Sequence, residues 1–443
     1  MDKVSTGTNK AMNAMKDAMD SAMSGNCYLI VVYLVCIIFL IIFSYSVYLR
    51  KEFSKSKDNV NEMNRTVKED DGLYNPIGAF KDYDKEGDYG KGTKFALIDY
   101  HIMGSYNSCG TGPAVNGWVD EKALENVIKR GVRFLDFEIY LKKGKAVIAL
   151  QGRPYPEVAS KNVTKCNTCK FKDTLNELNI TTVLTRVKGW AIDASDLVNR
   201  KDPLILNFRI MSDNDTVYSI LANSIKKIFI DQLLPAKYGY CGIVKRAASG
   251  DTNKYSGNGK ELVENNVFFA DIGVLKSKVI IFAKGPPNNP TSYKNNSEFF
   301  ELMNGGDEDG KLNYKSDYKI KNDSETFNVK EHKNNYCVTY PDITTKKNSA
   351  ANIHMNYGCQ AILMNFGAGF NDTQMQFYKG EFSKKKSAFI LKAKKLRRLR
   401  VFAGAAKPVD PSLDPIRRDI WCNIPGTVHM KLYKQLPGGK CPT

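Results

Sequence analysis

Residues Tyr28 to Leu49 read YLIVVYLVCIIFLIIFSYSVYL, and this uncharged run constrains the chain more than any other stretch. As a helix its 22 residues extend about 33 Å, enough to cross a bilayer. The run is too long for a signal-peptide core, and no small-residue cleavage site follows it. Tyr28, Tyr33, Tyr45 and Tyr48 lie towards its ends, where interfacial aromatics belong. No second stretch approaches this length, so the sequence predicts a single-pass protein with a short segment, 1–27, before the span.

Flanking charge orients the span. Lys10 and Lys16 precede it and are offset by Asp17 and Asp20, whereas Arg50, Lys51, Lys55 and Lys57 follow. The positive-inside tendency therefore puts the C-terminal part on the cytoplasmic side. The eight cysteines after the span are scattered; an even number suits disulfides, and scatter over a large core equally suits reduced thiols. Ahead of the span, Met12, Met15, Met19 and Met23 fall at helical spacing. They predict a short amphipathic helix that lies on the membrane or meets a protein partner.

Beyond the span, residues 50–93 are polar and glycine-containing and read as a tether. Apolar runs then alternate with helical patterns. Strands are expected at 95–98, 134–140, 146–150, 204–208, 279–283 and 361–366, with helices at 121–130 and 217–229. This alternation predicts an α/β protein with a parallel sheet or barrel. Residues 287–335 are rich in Asn, Lys, Asp and Gly and read as an exposed polar insertion. The pattern resumes at 336 and ends near 402, leaving 403–443 as an irregular tail. Apolar residues at 42% exclude a disordered chain, and a net charge of +18 points to an anionic partner.

Two blocks carry a family resemblance. Residues 356–398 contain Gly358-Cys359-Gln360, a strand from Ile362 to Phe366, Met375-Gln376, Gly380-Glu381-Phe382, and Leu391-Lys392 running to Arg397. In order and spacing this resembles the Y-box of eukaryotic phosphoinositide-specific phospholipase C, although Ala393 stands where that family has Pro. The X-box resemblance is weaker and collinear. It comprises Gly104 to Asn107, Gly131 to Glu138, Ala146 to Arg153, Pro203 to Arg209 and Leu275 to Lys284. The resemblance implies a distorted TIM-type (β/α)8 barrel, with an X-box half over 94–286 and a Y-box half over 336–402. Its active site would lie at the strand ends.

The same resemblance implies which residues occupy the family's working positions. Tyr106 and Arg153 stand where its two catalytic histidines would be. Asn107, Asp136 and Glu138 match calcium-ligand positions, while Arg209 replaces a ligand Glu and reverses the charge there. Lys284 and Tyr340 match substrate-binding positions. A phenol, with a reference pKa near 10, is a poor acid/base at neutral pH, and a guanidinium delivers no proton. Arg153 and Arg209, beside Asp136 and Glu138, could instead form a structural ion network or a phosphate clamp. His101 would serve as a displaced catalytic group only if the alignment slipped, at the expense of Ser105 and Asn107. His332, His354 and His429 match no catalytic position, and Cys166-x-x-Cys169 lacks a second pair for zinc.

A basic stripe closes the barrel segment: Lys384, Lys385, Lys386, Lys392, Lys394, Lys395, Arg397, Arg398 and Arg400. Beside a membrane span, Lys392, Lys394, Lys395, Arg397 and Arg398 are expected to contact anionic phospholipid or phosphoinositide headgroups. Nucleic acid ranks below lipid, since no nucleic-acid motif accompanies the charge. The expectation is therefore a membrane-anchored, catalytically degenerate phospholipase C-like protein that binds headgroups or acts as a scaffold. The alternatives are an active calcium-dependent phosphoric diester hydrolase with altered catalytic groups, and a structural tether between a membrane and a protein shell.

Overall fold

The structure is a computed structural model. It describes residues 13, 14, 16, 17, 27–69, 75–77, 95–113, 117–150, 175–241, 266–287, 289–306, 311–342, 348–367, 372–398, 418–423 and 430–436. Most of the expected Met-rich helix, Arg153 and the Cys166–Cys169 pair lie outside these residues.

Seven parallel strands run in the order β6-β5-β2-β1-β9-β8-β7. They are β1 (Tyr100–Ser105), β2 (Phe134–Lys142), β5 (Leu204–Ile210), β6 (Val279–Lys284), β7 (Leu312–Ser316), β8 (Tyr336–Tyr340) and β9 (Ala361–Met364). Two short strands, β3 (Lys145–Ile148) and β4 (Leu178–Asn179), extend β2 in antiparallel fashion, and β10 (Phe389–Leu391) pairs antiparallel to β1. Between β6 and β7 a parallel bridge joins Phe282 to Gly305. From β7 the Tyr314 hydroxyl also reaches β5, donating to Asn207 Oδ1 at 2.6 Å. The sheet thus curls round an aromatic interior, where Tyr336 stacks on Phe268 and meets Phe282 edge-on.

Strands buried on both faces account for the near-continuous apolar runs in β5, β6 and β9. Outside them lie α2 (Glu121–Lys129), α3 (Ile180–Lys188), α4 (Asp215–Phe229), α5 (Ser297–Leu302), α6 (Asp317–Asn322), α7 (Glu325–Asn334), α8 (Ala351–Asn356) and α9 (Thr373–Lys385). The expected first strand is displaced: Leu97–Asp99 forms a 3₁₀ turn and β1 begins at Tyr100.

The polar insertion expected over 287–335 is also corrected. It supplies the barrel strand β7 and three helices. Its polarity misleads because β7 is short and buries Lys315 by pairing it with Glu331 and Asp323. Within 403–443, where an irregular tail was expected, β11 (Arg418–Asn423) and β12 (Met430–Leu436) form an antiparallel hairpin, in a unit separate from the barrel.

The tether expected from residue 50 gives way to helix. The apolar run is the first part of α1, which continues unbroken from Cys27 to Glu69. Its span-length part is long and apolar enough to cross a membrane and is not buried against the barrel. Its second part docks. Phe53 meets Trp118 with ring centroids 5.0 Å apart. Ser56 hydrogen-bonds Thr111 at 2.6 Å, and Asn59 donates to the Thr111 carbonyl at 2.7 Å. Met63 is fully buried, and Arg130 donates to its carbonyl at 3.2 Å. Charged residues on the other face made the segment read as linker, whereas Ser56, Asn59, Val60 and Met63 form a helical stripe against α2 and the Thr111 loop before it.

Candidate functional site

The carboxyl ends of β1, β2 and β5 assemble a polar cluster. Period-two alternation sends Leu135, Phe137 and Ile139 to one face of β2 and Asp136 and Glu138 to the other. Parallel register sets Asp136 beside Asn207, Glu138 beside Arg209, and Arg209 beside Lys284. Just past β1, Asn107 adopts a left-handed backbone with φ 44°, a conformation that Asn tolerates better than most residues. Its amide N–H donates to Asp136 Oδ2 at 3.0 Å.

Arg209 organises these groups. Its Nε donates to Asp136 Oδ1 at 3.0 Å and its Nη2 to Asp136 Oδ2 at 2.9 Å, a two-point fork. Nη1 reaches Glu138 Oε2 at 3.2 Å, and Nη2 also donates to Asn107 Oδ1. Asn207 donates to Asp136 Oδ1 at 2.8 Å, and the Tyr140 hydroxyl donates to Glu138 Oε1. The guanidinium lies 4.6 Å from the centre of the Tyr106 ring, which stacks on Tyr340 at 6.2 Å. Burial opposes the charge on Arg209, but Asp136, Tyr106 and Glu138 hold its pKa well above the ordinary guanidinium value. Burial also pushes the Glu138 carboxyl up, against the pull of Arg209.

Calcium takes six to eight oxygen ligands. Here the side-chain oxygens of Asn107, Asp136 and Glu138 are all engaged, by Arg209, Asn207, Tyr140 and the Asn107 amide. A cation fixed among them repels a second one. The residues present do not fit a calcium ion, because their oxygens are already taken up by Arg209 and its neighbours.

The structure brings Tyr106, Asn107, Asp136, Glu138, Arg209 and Tyr340 together, with Lys284 half-buried and 5.4 Å from the Tyr314 ring centre. Sequence reasoning missed Asn207, Tyr140 and Tyr314. For Asn207 the signal was a polar residue two before Arg209 in an otherwise apolar strand.

His101 lies apart from this cluster, inside β1. It is buried, and its Nδ1 lies 2.7 Å from the Cys359 carbonyl oxygen. Burial, with the Lys392 charge, lowers its pKa to about 3. Between pH 6.5 and about 3 the unfolded chain therefore takes up a proton that the folded chain refuses. The His101 contribution to stability is complete above pH 6.5 and falls as pH drops through this window, by about 1.4 kcal/mol per unit. In melting profiles His101→Gln is expected to flatten the decline between pH 6 and 4; parallel profiles would refute this.

The basic stripe is redistributed. Lys392 is buried, donates to the carbonyls of Gly358 at 3.1 Å and His332 at 3.3 Å, and is lowered by burial to a pKa of about 8. It is not a membrane-contact residue. Arg397 and Arg398 lie over the rings of Phe95 and Phe269, leaving Lys394 and Lys395 exposed. Because β10 runs antiparallel to β1, the segment from Lys392 to Arg398 sits at the amino ends of the parallel strands, opposite the Arg209 cluster.

No family model matches this chain, and no curated protein does either. Among solved structures it is similar to PLC21 of L. pealei, at 18% identity and a TM-score of 0.48 over 69% of this chain and 38% of that one. PLC21 of S. officinalis matches at 20% identity and the same TM-score, over the same shares. The chain thus spans well under half the length of these two structures. A calcium-dependent phosphoinositol-specific phospholipase C from a Gram-negative Pseudomonas matches at 10% identity and a TM-score of 0.35, over 62% of this chain and 92% of that one.

Proposed function

We propose that this chain is a membrane-anchored, catalytically silent phospholipase C-like barrel that serves as a scaffold at a bilayer surface. One observation carries the reading: the Arg209 guanidinium occupies the place among Asn107, Asp136 and Glu138 that a catalytic cation would need. General acid–base groups typically contribute 10²–10⁴-fold to a rate, and Tyr106 is held in a stack between Arg209 and Tyr340.

The docked half of α1 supports a definite orientation. Phe53 and Ser56 touch Trp118 and Thr111, in the loop that follows β1 at the mouth, while Met63 and Thr66 touch Arg130 at the far end of α2. The helix therefore leaves the barrel on its mouth side. Leu49 precedes Phe53 by four residues, about 6 Å of helix, so the mouth faces the bilayer at close range. Flanking charge puts the barrel on the cytoplasmic side, and the buried free thiols Cys109, Cys241, Cys337 and Cys359 suit a reducing compartment. A headgroup-binding reading rests on Lys284, half-buried at this mouth.

Full-length protein reconstituted into phosphatidylinositol vesicles with calcium is expected to release no inositol phosphate above the protein-free background, and to resist alkaline extraction. Calcium-dependent release abolished by Asn107→Ala would overturn the silent reading. Extraction of the protein by alkaline carbonate would overturn the anchor.

A further inference from the structure

On the outer face of the barrel, β8, the turn before β9 and the last turn of α7 bring two thiols and an imidazole together. Cys337 follows Tyr336 in β8 and faces the opposite way, towards α7. Cys359 lies two residues before Ala361, which pairs with Val338. His332 comes from α7. All three side chains are buried, and their ligand atoms lie within 4.8 Å of one another. Cys359 Sγ is 3.6 Å from His332 Nδ1.

We infer that His332, Cys337 and Cys359 form a structural site for a soft divalent metal, with zinc as the best match. Thiolates and imidazole are its preferred donors. With Zn–S near 2.3 Å and Zn–N near 2.0–2.1 Å, tetrahedral geometry puts sulfur and nitrogen about 3.5 Å apart, close to the 3.6 Å found here. Nδ1 is the nitrogen turned to the sulfur; without the ion its proton goes to the Tyr357 carbonyl oxygen at 2.9 Å, and on binding Nδ1 gives its lone pair to the ion while the ring proton moves to the buried Nε2. The Tyr357 carbonyl oxygen, released from that hydrogen bond, lies beside Nδ1 and is offered for the fourth position. Entry of the ion displaces the two thiol protons to solvent.

The surroundings are built to hold these ligands in place. Gln360 accepts from the Cys337 amide at 2.8 Å and donates to the His332 carbonyl at 2.7 Å. Lys392 clamps the carbonyls of His332 and Gly358. Lys315 is neutralised by Glu331 and Asp323, so it favours thiolates without opposing a dication. A second observation points the same way. The buried side chains of α7 are Asn328 and His332, both polar. Apolar burial does little to hold this helix, and a metal bond through His332 would.

Full-length protein purified in detergent under reducing conditions, without chelator, is expected to carry about one zinc per chain by elemental analysis. Adding zinc to stripped protein should raise its melting midpoint by roughly 5–10 °C. Cobalt(II) added to stripped, reduced wild-type protein should give a sulfur-to-metal charge-transfer band, a readout that needs no variant to fold. His332→Ala and Cys337→Ser/Cys359→Ser should each abolish the stoichiometric metal. The inference is overturned if the reduced chain binds neither metal, if the double variant keeps its zinc, or if Cys337 and Cys359 are found only as a disulfide.

Discussion

Arg209→Gln is expected to lower stability by about 3–5 kcal/mol, the usual consequence of removing one partner from a buried ion pair. Asp136 is fully buried and Glu138 nearly so, and the substitution strands both carboxylates without their cation. Part of the Asp136 charge stays compensated by Asn207 and the Asn107 amide, which argues for the lower half of that range. In a domain of this size the melting midpoint should fall by roughly 10 °C. The variant should also acquire a property that the wild type lacks. With the guanidinium gone, oxygens of Asn107, Asp136 and Glu138 become free for a hard cation. Millimolar calcium should therefore raise the melting midpoint of Arg209→Gln and leave the wild type unchanged. Arg209→Lys keeps the charge and loses the fork, so it should fall between the two. A variant melting within a degree of wild type would mean that the cluster is not held by Arg209.

Met63→Asp should detach the docked half of α1 while leaving the barrel folded. Met63 is fully buried; truncating such a side chain costs about 2–5 kcal/mol, and a carboxylate adds its desolvation. Release of the segment caps the cost at the docking energy. Lys51, Lys55, Lys57 and Arg65 are exposed on this helix and give trypsin its sites. Cleavage needs local opening, so about 3 kcal/mol of lost docking should speed cutting there roughly a hundredfold in detergent-solubilised protein. The barrel's own melting transition should stay within a few degrees. Equal cleavage of wild type and variant would mean that the docking contributes little.

Where burial and periodicity agreed, the sequence was readable. The strands at Phe134, Leu204, Val279 and Ala361 are apolar runs buried on both faces, and Asp136 and Glu138 stand out because alternation sets them apart from their neighbours. The misreadings share a cause. β7 reads as loop because Lys315 and Asn313 are satisfied by Glu331, a partner that lies 16 or more residues away in sequence. Lys392 reads as a surface charge because the carbonyls that receive it, on His332 and Gly358, meet only once β8 and β9 are side by side. The first half of α1 was unmistakable from hydropathy. The second half hid its contacts in a stripe of mixed character, Ser56, Asn59, Val60 and Met63. The Arg209 cluster was legible as a set of positions, and its closure was not, since nothing in the local sequence shows that Asn207, Tyr140 and Tyr314 complete it.

A helix of 43 residues without a break is a shaft about 65 Å long, and its last turns are keyed to the barrel by Phe53, Ser56, Asn59 and Met63. Twisting such a shaft about its own axis twists whatever is keyed to it. If two spans associate side by side in a membrane, the rotational phase of their contact sets which flank each barrel turns to the other. The exposed apolar side chains of that run, among them Ile37, Phe39, Ile41 and Phe43, would then govern barrel-to-barrel geometry from a distance, without any residue of the barrel being touched.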